Sequence, residues 1–273
     1  MKFQLKALVA ALALAAVAVP AQAAVDTNAS GNGSFILTVL DKVANVSATF
    51  DLGKNYFDFN QSAAAGAVSS VTDSGTSFSW DLNSSNYSSA WTSFLSVANL
   101  ANTTYAITAG DNNGFGSTAA GSRGYITTYV SAGAGTTTNL LTALANMDLY
   151  VANTGVVAGS TLNSATDGAA FTTPATGYYA ANKNFGTGVV TVGAIGTSLG
   201  VAQTLSTAAN LSQATTNIFG NGAQFTLATN GALSYTTNPI VTAPVPEADT
   251  WAMMMVGLGL MGFMARRRNR NQA

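Results

Sequence analysis

Residues 33–52 read GSFILTVLDKVANVSATFDL and contain two successive strand patterns. The run Gly33–Leu40 is rich in β-branched and aromatic side chains, which favour strands. Ala44–Leu52 alternates apolar and polar residues, which is the period of a half-buried strand. With the turn-forming pair Asn32-Gly33 in front, the two runs predict a first antiparallel hairpin.

The same alternation recurs along the chain. Strands are predicted at residues 77–82, 103–109, 125–130, 188–192, 223–228 and 232–236, and Phe57 and Phe59 alternate likewise. The pair Asn230-Gly231 between the last two strands is the clearest two-residue hairpin signal. Helical spacing appears at residues 89–100, with Ser88 or Ser89 as the N-cap, and at residues 139–149.

These elements indicate a mainly β fold. Many short alternating strands with Gly and Asn turns are typical of an antiparallel β-sandwich or jelly-roll, here with one or two short helices. No exact repeat of about 20–50 residues is present, which disfavours a solenoid, but the density of Gly and Asn keeps a β-helix as the alternative. We expect one exported domain in residues 24–237.

The first residues predict a secretory signal peptide at 1–23. Two lysines precede an apolar run from Ala7 to Val19, and Pro20 ends that run. Ala21 and Ala23 form the small-x-small pattern of a cleavage site, so we expect cleavage after Ala23. The Sec machinery and signal peptidase are therefore predicted partners.

The chain closes with a tail of three parts. A Pro-containing spacer at 238–244 leads into a short polar motif, an uncharged apolar run at 251–265 and an arginine cluster. Fifteen residues make a helix of roughly 22 Å, shorter than the ~30 Å hydrocarbon core of a bilayer. Trp251 can lie at one interface and the arginines can reach the other, so a short C-terminal membrane helix is predicted. A buried core helix with a solvated basic end is the alternative. The residues assigned to membrane contact are Trp251, Leu258, Leu260 and Phe263, and the basic stop is Arg266, Arg267, Arg268 and Arg270.

Residues 245–270 of this tail resemble the PEP-CTERM sorting signal of exopolysaccharide-producing Gram-negative bacteria. The family pattern is Val-Pro-Glu-Pro, a Thr or Ser, an apolar helix rich in Gly and Leu, and an arginine cluster. Val245, Pro246 and Glu247 match, Ala248 stands where the second Pro is usual, and Thr250 follows. The resemblance implies that an exosortase, a membrane protease-transpeptidase, cuts near the motif. It also implies a transient stay in the inner membrane, followed by attachment at the cell surface or release.

Composition restricts the chemistry of the exported part. Residues 24–245 contain four basic residues and nine aspartates, a net charge of −5, which argues against nucleic-acid binding. The chain has no Cys and no His, and its only Glu is Glu247. Ser-His-Asp triads, Cys–His pairs and the common zinc sites are thereby excluded. We expect no enzymatic activity and no cofactor, and an Asp-dependent glycoside hydrolase is the remaining catalytic alternative.

Two weak candidate metal sites use oxygen ligands. Asp111 and Asn113 lie at alternate positions of an Asp-Asn-Asn-Gly stretch, as in calcium loops, although a plain turn explains the stretch more simply. A second candidate calcium set is Asp51, Asp58, Asp73 and Asp81.

Aromatic residues offer a candidate sugar-stacking platform, which is Trp80, Trp91, Tyr56, Tyr87, Tyr178 and Tyr179. Trp80 alternates with Phe78 and Leu82, so we assign it to the core. Tyr178 and Tyr179 are the best ligand candidates, because adjacent strand residues point to opposite faces and one ring would be exposed.

The sequence therefore predicts an exported surface or matrix protein with a structural or adhesive role in the envelope or biofilm. An exopolysaccharide-binding module is the alternative, and a glycosidase is less favoured.

Overall fold

The computed structural model describes residues 25–26, 31–59, 69–112, 121–129, 140–154, 168–173, 192–207 and 210–238. All of them belong to the unit Met1–Asn238, and Pro239–Ala273 forms a second unit. The predicted signal peptide at 1–23 and, from residue 239 onward, the spacer, sorting motif, apolar helix and arginine cluster lie outside the described residues.

The described residues form eleven strands and three α-helices. The strands are β1 Ser34–Asp41, β2 Val46–Asn55, β3 Ser77–Asp81, β4 Thr103–Asp111, β5 Gly124–Tyr129, β6 Ala169–Thr172, β7 Gly193–Ala194, β8 Ser198–Thr207, β9 Asn210–Ile218, β10 Gln224–Leu227 and β11 Ala232–Thr236. The helices are α1 Tyr56–Phe59, α2 Ser88–Leu95 and α3 Leu140–Thr154, with 3₁₀ turns at Ser69–Thr72 and Leu100–Asn102.

All eleven strands belong to one antiparallel sheet. Its order is β3-β11-β10-β8-β5-β4-β1-β2-β6, with β7 paired to β4 and β9 paired to β8. The prediction of a mainly β, antiparallel fold with a few short helices is confirmed. The two layers expected of a sandwich are here parts of one curled sheet. The β-helix alternative does not fit the described residues, because it would require parallel pairing of successive turns.

A few side-chain hydrogen bonds mark the curl of the sheet. Trp80 on β3 donates its indole N–H to the carbonyl of Leu52 on β2 at 2.7 Å, although these strands lie near opposite ends of the order. The hydroxyl of Tyr105 on β4 lies 3.0 Å from the carbonyl oxygen of Phe225 on β10. Burial raises the pKa of Tyr105 to about 12, so the hydroxyl stays a donor at any physiological pH.

Strand β1 lies at the centre of the packing and is buried on both faces. Its inner face adds Phe35, Leu37 and Val39 to the main core, where the ring of Phe35 lies 6.2 Å from that of Phe225. Its outer face, with Ile36 and Leu40, packs under helix α3. Each fully buried side chain of this size contributes about 1.5–3 kcal/mol.

Helix α3 covers the outer face as its spacing predicts. Leu140, Leu144 and Met147 are buried together against Ala106 and Tyr125 of the sheet. The helix continues beyond the predicted end to Thr154, where Tyr150 and Val151 pack on the outer face of β1.

The alternation at Phe57 and Phe59 does not continue a strand, and that prediction is wrong. Residues Tyr56–Phe59 form the short helix α1, with Tyr56 and Phe59 buried. A separation of three residues brings both rings to one side of a helical turn. The Asp58 carboxylate accepts a hydrogen bond from the backbone N–H of Asn55 at 2.8 Å, which stabilises the turn.

The predicted N-cap of α2 is also wrong, because the helix begins at Ser88 after Tyr87, whose side chain makes no cap. The Tyr87 hydroxyl instead donates to the carbonyl of Asp51. The helix ends at Leu95, since the N–H groups of Val97 and Ala98 both turn back to the carbonyl of Phe94.

The β10–β11 hairpin forms where Asn230-Gly231 predicts it, but with a three-residue loop. The N–H of Ala228 donates to the carbonyl of Ala232 at 2.8 Å, which leaves residues 229–231 as the loop, and the N–H of Gly231 donates to the carbonyl of Ala228 at 3.0 Å. Only Gly231 in this loop has a positive φ, of +87°. This is a tight turn closed by a left-handed glycine, in place of the two-residue type predicted.

Gly231 also lies against α2, and its substitution is expected to be costly. A Cβ at this position would lie 2.8 Å from the indole nitrogen of Trp91. We expect Gly231→Ala to lower the free energy of unfolding by about 2–3 kcal/mol, from left-handed strain plus displacement of Trp91. This loss of stability is measured by denaturant unfolding of the variant and the wild type.

Gly196→Ala is the matched control, because Gly196 has a φ of +88° and nothing within 4 Å of its Cβ position. This variant should lower the free energy of unfolding by only about 1 kcal/mol, which is the cost of the left-handed backbone alone. Equal losses for the two variants would show that the contact with Trp91 has no weight.

Candidate functional site

The structure reaches only part of the predicted sites. The sorting residues Val245–Thr250, the cleavage residues Ala21 and Ala23, the calcium candidate Asn113, and the ligand candidates Tyr178 and Tyr179 lie outside the described residues. The remaining candidates can be placed.

The sugar-stacking platform is not formed by the aromatic residues that the structure describes. Trp80, Trp91, Tyr56 and Tyr87 are all buried in the main core. The assignment of Trp80 to the core is confirmed, and the other three are corrections to the platform. Their rings pack on one another, as where Phe50 meets Tyr87 edge-on at 5.8 Å, so no face is left for a sugar.

Asp111 ends β4 with a buried side chain. It pairs in register with Gly124 and lies near Tyr56, whose hydroxyl accepts a hydrogen bond from Gln203 at 2.7 Å. Burial, followed by the negative charge of Asp111, raises the pKa of Tyr56.

The calcium candidates are not brought together. Within the described ranges, no three Asp, Glu, His or Cys residues lie close enough to hold a metal ion. Asp51, Asp58, Asp73 and Asp81 therefore do not gather into the predicted second set.

Asp51 is a buried ionisable group that the sequence pattern did not single out. It lies on the outer face of β2, where one carboxylate oxygen accepts from the N–H of Gly53 at 2.8 Å. The other accepts from the hydroxyl of Ser34 at 3.4 Å. Burial raises its pKa to about 7 from the ordinary 3.8; these two hydrogen bonds oppose the shift, and the charge of Asp26 adds to it.

This raised pKa makes stability depend on pH. Between pH 4 and 7 the folded state binds more protons than the unfolded state, so the free energy of unfolding falls as pH rises and levels off above 7. The full shift corresponds to roughly 4 kcal/mol. Asp51→Asn should remove most of this slope in denaturant unfolding from pH 4 to 8, because an amide does not titrate. Its oxygen can still accept the hydrogen bond from Gly53.

Asp58→Asn, at an exposed carboxylate, serves as the control and should keep the wild-type slope. An unchanged slope in Asp51→Asn would mean that Asp51 ionises in the folded state as it does in water.

The carboxylate of Asp41 binds backbone N–H groups from two different segments of the chain. One carboxylate oxygen accepts from the N–H groups of Val43 and Ala44 at 2.8 and 3.1 Å, and the other accepts from Asn99 at 2.8 Å. Burial opposes ionisation, but these three hydrogen bonds outweigh it and lower the pKa of Asp41. The carboxylate therefore joins the β1–β2 turn to the loop before β4.

Two exposed apolar side chains lie on the segments that Asp41 joins. Val43 is 74% exposed and Val97 is 54% exposed. Val43 carries one of the backbone N–H groups that donate to the Asp41 carboxylate. Val97 lies two residues before Asn99, which carries another. We refer to Val43 and Val97 as the turn pair.

The turn pair lies at the opposite end of the sheet from the point where the chain leaves it after β11. β1 and β11 are five places apart in an antiparallel order, so β1 begins at the end where β11 finishes. Asp26 is bonded to Ser34 at the start of β1, and Asn238 follows β11. The β1–β2 turn and the start of β4 lie at the other end.

None of the described helices is long and apolar enough to span a membrane. The predicted apolar helix at 251–265 was not among the residues searched.

Comparison with known proteins identifies the tail. The family described as the PEP-CTERM protein-sorting motif matches residues 244–268. No curated protein and no solved structure matches the chain. The match covers Val245, Pro246, Glu247, Ala248 and Thr250, the apolar run, and the arginines through Arg268. The chain therefore carries a PEP-CTERM sorting signal, and it is an exported protein that an exosortase sorts to the cell surface or the extracellular space.

Proposed function

We propose that the β domain is a non-catalytic structural and adhesive component of the cell envelope or biofilm matrix. The placement of the chain's exit from the sheet is the observation that carries this proposal. The chain leaves the sheet after β11 at one end, and the turn pair lies at the other. A domain attached through its tail can thus present Val43 and Val97 away from the attachment point, where apolar contacts between copies give cohesion.

The processing route belongs to the same proposal. The Sec machinery exports the chain, and signal peptidase cuts after Ala23. The apolar helix at 251–265 holds the precursor transiently in the inner membrane, with Arg266–Arg268 as its basic stop. The exosortase then cuts near Glu247, and the domain remains at the surface or is released.

Mass spectrometry of the C-terminal peptide from the native host tests the route. We expect the protein in the surface or medium fraction to end between Val245 and Asp249. An intact C-terminus through Arg270, found in the inner membrane, would make the tail a plain anchor and contradict exosortase cutting. Glu247→Ala should shift the protein to the uncut form, whereas Asn269→Ala, outside the matched motif, should not.

The turn pair tests the adhesive role. The double variant Val43→Ser, Val97→Ser should reduce aggregation of cells that display the protein, because it removes exposed apolar contact without touching the core. The free energy of unfolding should change by less than about 0.5 kcal/mol, as for surface substitutions generally.

Ile218→Ser is the control, since Ile218 is also exposed but lies on β9. Aggregation that falls equally in both variants, or in neither, would contradict a role for the turn pair.

Exopolysaccharide binding remains the alternative function. Fewer residues support this function than the sequence suggested. Four of the six candidate rings are buried, and only Tyr178 and Tyr179 are left. Retention of the purified domain on the host's polysaccharide, lost in a Tyr178→Ala, Tyr179→Ala variant, would favour it over the adhesive role.

A further inference from the structure

The first described residues of the exported domain are built into its core. Val25 is 3% exposed and lies in the outer cluster with Ile36, Leu40, Tyr150, Val151 and Ala170. It therefore contacts the region where β1, β6 and α3 meet. Only Ala24 separates this buried side chain from the predicted signal cleavage after Ala23.

Main-chain hydrogen bonds hold the next residue in place. The N–H of Asp26 donates to the Ser34 hydroxyl oxygen at 2.9 Å, and the N–H of Ser34 donates to the Asp26 carbonyl at 3.0 Å. The Ser34 hydroxyl in turn donates to the carboxylate of Asp51 on β2 at 3.4 Å. Val25 and Asp26 are thus joined to two strands, and we call these two residues the N-terminal clasp.

A peptidase requires an extended and accessible chain around the bond that it cuts, so a folded segment is cleaved only after it opens. One residue is too short a spacer for this, because it spans at most about 3.6 Å. We therefore expect signal peptidase to cut after Ala23 slowly while Val25 is buried.

We propose that the N-terminal clasp closes only after the signal peptide has been removed, and that its closure then protects the new N-terminus from trimming. The proposal rests on the predicted cleavage site within the proposed processing route. It adds an order of events, in which cleavage comes first and completion of the outer cluster second.

The first experiment compares mature chains that begin at Ala24. Val25→Ser opens the clasp, and Val43→Ser is the matched control because it makes the same change at an exposed valine. Each protein is exposed to an aminopeptidase and its N-terminus is followed by mass spectrometry. The wild type and the control should keep Val25, whereas Val25→Ser should be trimmed at least about tenfold faster.

Trimming of the wild type beyond Asp26 at the rate of Val25→Ser would overturn the clasp. Should Val25→Ser fail to fold, Ser34→Ala provides a second variant, since it removes the hydroxyl that joins Asp26 to Asp51 and leaves Val25 in place. It should also be trimmed faster than the control.

The second experiment tests the order of events on folded full-length precursor with purified signal peptidase. Val25→Ser precursor should be cut at least about tenfold faster than wild type or Val43→Ser precursor. Equal rates would overturn the order. Sequencing the N-terminus of protein from the host separates the two proposals, because a start other than Ala24 refutes the processing site, while the aminopeptidase result still decides whether the clasp is closed.

Discussion

Strand β1 is buried on both of its faces, and this burial governs how the sheet and α3 pack. A strand with no exposed side needs a core on each side, and one curled sheet supplies the inner core while α3 supplies the outer one. Polar groups on the outer face are withdrawn from water, and most buried polar groups in proteins have a hydrogen-bond partner. The hydroxyls of Thr49 and Tyr150 meet at 2.6 Å for this reason, and Ser34 meets Asp51.

The sequence predicts those elements whose apolar residues are large and regularly spaced. The first hairpin, the β10–β11 hairpin and α3 are of this kind, and each lies within a few residues of its predicted position. Strands β8 and β9 gave no such signal. Their residues are mostly Ser, Thr, Ala and Gln, and Gln203 and Thr204 are buried although they are polar. Pairing with neighbouring strands, and not local hydrophobicity, determines these two strands, so a local pattern cannot predict them.

The sorting signal can be predicted from the local sequence, whereas the burial of Asp51 cannot. An enzyme reads the tail as a short linear motif, so its residues are recognisable without any fold. Asp51 stands between Phe50 and Leu52, at a position that alternation assigns to solvent. Its partner Ser34 and the nearby charge of Asp26 come from distant parts of the sequence, so its environment depends on tertiary structure. Asp41 did carry a local signal, since aspartate at the start of a turn commonly accepts hydrogen bonds from the following backbone N–H groups.

Hydrogen bonds from aromatic side chains to main-chain carbonyls join distant parts of the chain. Trp80 bonds to Leu52, Tyr87 to Asp51, and Tyr235 to Val71 at 2.7 Å. The chain has no cysteine, so none of these connections is covalent. If such a domain is pulled open by force, its refolding involves no thiol oxidation and no disulfide exchange, because these connections consist only of hydrogen bonds.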